Sequence, residues 1–376
     1  MNAHRPERVI VVGAGIVGLC TAFELTEIAG KDLSLTVIDP HPVGAASHYA
    51  GGMLAPVAEV QYRQEALYPL MLESARLYPS LIRRVSAATD LPTGYREEGT
   101  LVVAADRADA HHLRNLTAHQ QAHGMAVKPL TVREARKVEP ALSPALAGAV
   151  SIPGDTQVAP RLFAAALMDA LRRRGVTFLP ATVTRMGENE VRTDRGGVDT
   201  RGARVVLSAG LGAARLTEGL ALRPVYGDIL IARAPGLIER VVRGFVEDRP
   251  VYLIPRGETV AIGATSREDH RAGTPLGSVR DLLRDSCRIV PALEEADLLE
   301  WGTGARPGTP DDLPYLGRVG NTVISTGYFR HGILLAALGG LAGARLALGE
   351  SPGFDLGACD PRRHRAHHHS QPHKEQ

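Results

Sequence analysis

Hydrophobic and polar positions change period twice within the first forty residues. Residues 8–12, Arg-Val-Ile-Val-Val, form a short β-branched run without polar alternation, as a strand buried on both faces would. From residue 16 to about 28 the apolar positions fall at helical spacing, and residues 33–38 return to strand character before ending in Asp39. Strand, helix, strand predicts a parallel pair. Later segments read as strands at 95–104 and 251–264, with alternation over 250–255. Residues 132–138 and 279–290 read as helices, and an apolar stretch from near Gly332 to 346 reads as a buried helix. The longest apolar runs, 9–20 and 333–344, are each about twelve residues, too short to span a bilayer.

A chain of 376 residues suits about two domains. Strand and helix alternate in three stretches, 1–88, 145–218 and 302–352, which together predict one discontinuous α/β domain. Residues 89–144 and 219–301 predict a second domain built on an antiparallel sheet. The net charge of +2 comes from the C-terminus: residues 361–376 carry Arg362, Arg363, Arg365 and Lys374 against Glu375, so the rest is near −1. A neutral body gives no nucleic-acid footprint. Cys20, Cys287 and Cys359 are odd in number and far apart, which predicts neither a disulfide framework nor a zinc site and suits a reducing cytoplasm. The stretch 360–376, rich in His, Arg, Pro and Gln, is expected to be a disordered polar tail, although its histidines could bind metal.

The first strand runs directly into Gly13-Ala14-Gly15-Ile16-Val17-Gly18. In a strand–turn–helix context each glycine has a task. Gly13 makes the tight turn, Gly15 admits the backbone to a pyrophosphate, and Gly18 lets the helix pack on the strand. The helix N-terminus offers amide groups and a positive dipole end to the phosphates. Asp39, 21 positions after Gly18, would accept hydrogen bonds from a ribose diol and would repel a 2′-phosphate. A Rossmann-like dinucleotide site follows, with FAD and NAD both open at this point and NADP disfavoured.

The next residues, from Pro40 to Pro56, are mostly small and include Gly-Ala-Ala-Ser and Ala-Gly-Gly-Met-Leu-Ala-Pro. Taken with the glycine motif and Asp39, they resemble the D-amino-acid oxidase superfamily of flavoproteins, and within it the glycine oxidases of thiamine biosynthesis. Three further stretches carry the resemblance: Val251-Tyr252-Leu253-Ile254-Pro255-Arg256 with Ala261-Ile262-Gly263-Ala264-Thr265, then Gly304-Ala305-Arg306-Pro307-Gly308-Thr309, and Gly327-Tyr328-Phe329-Arg330-His331-Gly332-Ile333-Leu334-Leu335. The match extends to about residue 350.

The resemblance implies non-covalent FAD, a Rossmann-like FAD domain interleaved with an antiparallel-sheet substrate domain, and a possible homotetramer. FAD contacts would come from Gly13, Gly15, Ile16, Val17, Gly18, Asp39, Pro40, Ala46, Ser47, Gly51, Gly52, Met53, Val183, Ala209 and Gly210. Tyr328, Phe329, Arg330, His331, Gly332, Ile333 and Leu334 would lie along the flavin. Arg306, Arg330 and Tyr252 match the substrate-carboxylate positions, with Met53 limiting the pocket. Arginine suits this task because its planar fork grips a carboxylate through two hydrogen bonds. Glycines and prolines around Arg306 predict a rigid loop. Arg330, just ahead of a helix start, works against the local dipole and so predicts a nearby anion.

The implied reaction takes hydride from the α-carbon of a small amino acid, glycine above all, and returns the electrons to dioxygen. It requires no protein acid or base beyond the flavin. Two departures stand out. Tyr328 and His331 replace the family's common His and Asn, which bears on substrate range or electron acceptor, and no cysteine near 306–317 could hold flavin covalently. A D-amino-acid dehydrogenase or N-methyl amino acid oxidase would use the same motifs. A non-catalytic dinucleotide-binding module would not need the carboxylate clamp.

Overall fold

The computed structural model describes residues 8–269 and 271–364. Two compact units divide the chain: unit 1 holds 1–44, 167–224 and 306–376, and unit 2 holds 45–166 and 225–305. This partition groups 45–88 and 145–166 with the second unit, whereas the sequence pattern groups them with the α/β segments. The reason lies in packing. Val57, Ala58, Val60 and Tyr68 share a core with Val102, Ala104, Leu113, Leu116 and Val150 of unit 2.

Unit 1 is built on a six-stranded sheet. Its spatial order is Tyr315–Val319, Thr322–Thr326, Ala203–Leu207, Arg8–Val12, Ser34–Ile38 and Thr177–Leu179. All neighbours are parallel except the first pair. Val9, Ile10 and Val11 are fully buried, as the unbroken β-branched run requires. The helix Ile16–Ala29 packs on the helix Ala336–Ala347 through small residues. A Cβ at Gly340 would stand 2.9 Å from the carbonyl carbon of Cys20, so the two backbones approach as closely as glycine allows. That second helix begins at Ala336; residues 329–335 ahead of it are a 3-10 turn, Phe329–His331, and further turns. The expected start near Gly332 is therefore four residues early, because periodicity cannot separate a tight turn from a first helical turn. A small three-stranded sheet, Val183–Met186, Glu190–Thr193 and Gly196–Asp199, completes the unit.

Unit 2 contains an eight-stranded sheet. Its order is Asp297–Gly308, Arg223–Arg233, Thr259–Gly263, Arg249–Arg256, Val241–Val246, Thr100–Ala104, Gly148–Ile152 and Lys128–Leu130. The expected strand at 251–264 is a hairpin that turns at Gly257, where φ is +70°. From Arg223–Arg233 to Lys128–Leu130 the neighbours are antiparallel, apart from Val241–Val246 beside Thr100–Ala104, which is parallel. One face carries the core of Leu101, Val103, Leu230, Val242, Leu253, Ile262 and Ile289.

The segment expected to be a tail is described as far as His364. Arg363 pairs there with Asp311 at 2.8 Å, and His364 Nδ1 lies 2.6 Å from the Tyr315 hydroxyl. Its remaining residues, 365–376, lie outside the described part. Among the described residues, no helix is long and apolar enough to cross a membrane.

Candidate active site

Parallel strands collect ligand-binding loops at their carboxyl ends. In unit 1, Val12, Ile38 and Leu207 end at one edge of the sheet, so Gly13, Asp39 and Ser208 emerge together. Backbone bonds lock this edge: Gly13 N–H donates to the Ile38 carbonyl at 2.9 Å and Ser208 N–H to the Val12 carbonyl at 2.8 Å. Gly13 has φ +104°, and a Cβ there would stand 2.5 Å from the Ser208 carbonyl oxygen. A Cβ at Gly18 would run into the Gly13 carbonyl. Both glycines are thus demanded by close approach, as the motif predicts.

Ile16 and Val17 are buried in the first turn of the helix that follows. Its N-cap residue, Gly15, has no side chain to cap it, and its first turn carries no acidic residue. Asp39 is oriented by two backbone amides: Oδ2 accepts from Ala14 N–H at 2.7 Å and Oδ1 from His41 N–H at 2.8 Å. Pro40 is exposed and Val183 half-buried. The Ser208 hydroxyl is buried without a hydrogen-bond partner among the described residues. A buried hydroxyl of this kind wants a ligand or water. A helix N-terminus entered through glycine, an oriented carboxylate and an orphaned hydroxyl at one sheet edge fit the phosphate and ribose portion of FAD.

The strand Thr322–Thr326 delivers 327–334 to the same edge, and Thr326 Oγ1 donates to the Gly210 carbonyl at 2.9 Å. Gly327 and Phe329 both have positive φ, +76° and +45°, so the turn is tight. Arg330 is half-exposed, while Ile333 and Leu334 are buried. Tyr328 and His331 are interior residues. The Tyr328 phenol lies 2.8 Å from the Ser325 hydroxyl and packs against Gly339, and burial raises its pKa. A side chain so enclosed serves the core of unit 1, a role that the motif comparison misses.

In unit 2, Ala46 and Ser47 belong to a short 3-10 turn, Ala45–Ser47. The small residues that follow are held by pairing. Met53 pairs with Gln157, and Gly52, at φ +92°, accepts from Val158 N–H at 2.9 Å. Tyr252, Ile254 and Arg256 project from one face of the strand Arg249–Arg256, at spacing two. A Cβ at Gly51 would stand 2.9 Å from both the Tyr252 hydroxyl and Ile254, and one at Gly263 would stand 2.5 Å from the same hydroxyl. The Tyr252 hydroxyl therefore lies in a slot that only glycine leaves open. Arg256 donates from Nη2 to the carbonyls of Ala50 and Gly51 at 3.0 and 2.8 Å, anchoring the turn to the sheet. Burial pulls its pKa down to about 10, so it stays cationic at neutral pH. Arg256 closes the stretch 251–256, and the spacing-two rule alone puts it on the Tyr252 face.

Arg306 lies on the long strand Asp297–Gly308, not on a loop. Gly302 and Gly304 serve close approach instead: a Cβ at 304 would stand 3.0 Å from Tyr49 Cβ, and one at 302 would overlap the Tyr49 ring. Glycine in sequence marks both a turn and a strand crowded by a neighbour, and only the partner distinguishes them. Nearby in unit 2, Arg161 grips Glu300 through two bonds of 2.8 and 2.6 Å, and His48 has its pKa lowered by burial and by Arg161. Asp311 and Asp312 serve turn structure in unit 1, where Asp312 pairs with Arg223 at 2.9 Å.

A family model described as FAD dependent oxidoreductase matches residues 8–346. The glycine oxidase of Geobacillus kaustophilus (strain HTA426) is 34% identical over 382 residues, covering 96% of this chain and 98% of its own. A putative thiamine biosynthesis oxidoreductase ThiO of Rhizobium etli is 31% identical over 349 residues, covering 90% of this chain and 96% of its own. The crystal structure of glycine oxidase from Geobacillus kaustophilus superposes with a TM-score of 0.87 at 31% identity, covering 96% of this chain and 100% of that one.

Proposed function

The chain belongs to the FAD dependent oxidoreductases and uses FAD, and from that premise we propose that it oxidises the amine carbon of glycine. Sarcosine and small D-amino acids are secondary substrates in this reading. The carrying observation is that the similarity to a glycine oxidase spans 96% of the chain, well beyond the dinucleotide motif.

Bound FAD would supply the acceptor for the α-carbon hydride, with dioxygen taking up the two electrons as hydrogen peroxide. The residues of the chain supply position. Arg306 and Tyr252, with Arg330, hold the substrate carboxylate, and Met53 crowds a bulky side chain. The amine lone pair forms the imine as hydride leaves, and water converts the imine to glyoxylate and ammonia. The likeness to a relative named for thiamine biosynthesis supports delivery of the imine to thiazole assembly. A cytoplasmic setting and a homo-oligomer complete the reading.

The test is anaerobic mixing with glycine, sarcosine and D-alanine, followed by peroxide yield in air. Flavin bleaching by glycine with stoichiometric peroxide is expected. Bleaching by large D-amino acids alone would reject glycine and leave the family standing. Arg306→Ala should lower kcat/KM for glycine about ten- to a hundredfold, the worth of a charge-assisted pair. Arg306→Lys should recover part of it. An equal loss on an amine without a carboxylate would refute the clamp.

A further inference from the structure

The helix Arg107–Ala122 of unit 2 ends beside two histidines four residues apart, His119 and His123. That spacing puts both rings on one face of a helix. Glu65 lies ahead of the helix Tyr68–Ser86, and one ligand atom from each of the three residues falls within 4.8 Å of the other two. We propose that Glu65, His119 and His123 form a binding site for a borderline divalent transition metal, Zn2+ in particular, on the surface of unit 2. None of the three belongs to the residues assigned to FAD or substrate.

Hydrogen bonds fix the tautomer of both rings. The Tyr68 hydroxyl donates its single proton to the Gln61 carbonyl and lies 3.0 Å from His119 Nε2. The His119 Nε2–H must therefore donate to the Tyr68 oxygen, which leaves a lone pair on Nδ1. His123 Nδ1 lies 2.9 Å from the His119 carbonyl, which can only accept, so the lone pair of His123 is on Nε2. A metal-ligating histidine is commonly held this way, its outer nitrogen bonded to a fixed partner. The Tyr62 ring packs 4.7 Å from His119 and the Tyr68 ring 5.4 Å from His123, which restrains both imidazoles.

Charge and access agree with a cation. The site lies at a helix C-terminus, the negative end of the dipole. Glu65 adds a carboxylate whose Oε1 accepts from Arg63 N–H at 3.3 Å. Glu65 and His123 are exposed and His119 half-buried, so an ion reaches the site from solvent. Two imidazoles and one carboxylate suit Zn2+, whereas Mg2+ and Ca2+ favour oxygen sets. Three protein ligands leave a fourth position for water, and the ion would tie residues 61–65 to the end of the helix.

The experiment is a Zn2+ titration against a competing indicator at neutral pH. It uses the full-length, FAD-loaded chain with His367, His368, His369 and His373 replaced by Gln, which removes the affinity of the C-terminal histidines. One Zn2+ per chain is expected. Affinity should fall by more than about tenfold in His119→Ala and His123→Ala, and by less in Glu65→Gln. Flavin absorbance reports folding; should His119→Ala lose its flavin, His123→Ala, whose side chain is exposed, decides. No bound Zn2+ at micromolar concentrations, or unchanged affinity in the folded histidine variants, would overturn the proposal.

Discussion

A carboxylate that accepts two backbone amides occurs in both units, with opposite consequences. In unit 2, Asp155 accepts from Val57 and Ala58, Asp109 from Glu247 and Asp248, and Glu139 from Glu239 and Arg240. These three acids are 0%, 1% and 2% exposed, so their bonds go to closing loops around the sheet. In unit 1, Asp39 makes the same pair of bonds, to Ala14 and His41, but stays half-exposed at a strand end. Its other lone pairs can meet a ligand. Burial decides whether this device holds a fold or offers a binding group. The surroundings differ in kind as well. Unit 2 seals its loops with ion pairs such as Arg243 with Glu59 and Arg267 with Asp228, while the sheet edge of unit 1 relies on glycine and backbone.

Substitutions at these positions separate the two cases. The largest effect should come from Gly13→Ala, which places a methyl against the Ser208 backbone at φ +104°. The left-handed backbone and the overpacking together should cost roughly 2–5 kcal/mol, seen as loss of FAD-loaded folded protein. A yellow, normally stable variant would show that the edge yields.

Asp155→Ala should come next, at about 3 kcal/mol in chemical denaturation, since two buried amides lose their acceptor. Its pH dependence is distinctive. Burial pushes the Asp155 pKa up to about 7 from 3.8. The folded chain then binds this proton more tightly than the unfolded one, so this group makes stability fall as pH rises from about 4 to 7. The contribution is fully present below pH 4 and lost above 7. Asp155→Asn should remove that slope, and an unchanged slope would assign it elsewhere.

Asp39→Ala should act on ligand more than on fold. Losing a ribose contact should weaken FAD about tenfold or more; the exposed His41 amide finds water, and the buried Ala14 amide, left without its acceptor, should cost apo stability only about 1 kcal/mol. An apo protein destabilised as much as Asp155→Ala would erase the contrast between the units. The smallest effect should be that of Arg201→Ala, which removes an exposed pair with Asp199. Surface pairs of this kind contribute little, and no resolvable change in Tm is expected.

Much of the candidate site was legible because its signals are local. Gly13, Gly18 and Asp39 read directly, since strand, turn and helix are set by neighbours in sequence and each glycine has a steric reason. Arg256 was half legible, through its place two and four residues from Ile254 and Tyr252. The interior position of Tyr328 was not legible, because it depends on Ser325 and on Gly339 of the next helix. Gly302 and Gly304 misled in the same way: the chain alone does not reveal that Tyr49 lies across them. In the proposed metal site the His119 and His123 spacing is local, but Glu65 lies 54 and 58 positions away from them, a separation at which a single sequence carries no pairing signal.

The sequence by itself determined the parallel start of the chain, the dinucleotide motif, the family resemblance and the candidate residues. Each of these rests on short-range spacing and backbone sterics. Tertiary structure alone decided which glycines serve turns and which serve crowding, and where unit 2 begins. It also decided that Asp155 is buried while Asp39 stays open to a ligand. Those outcomes depend on what covers a residue, and the cover comes from segments distant in the chain.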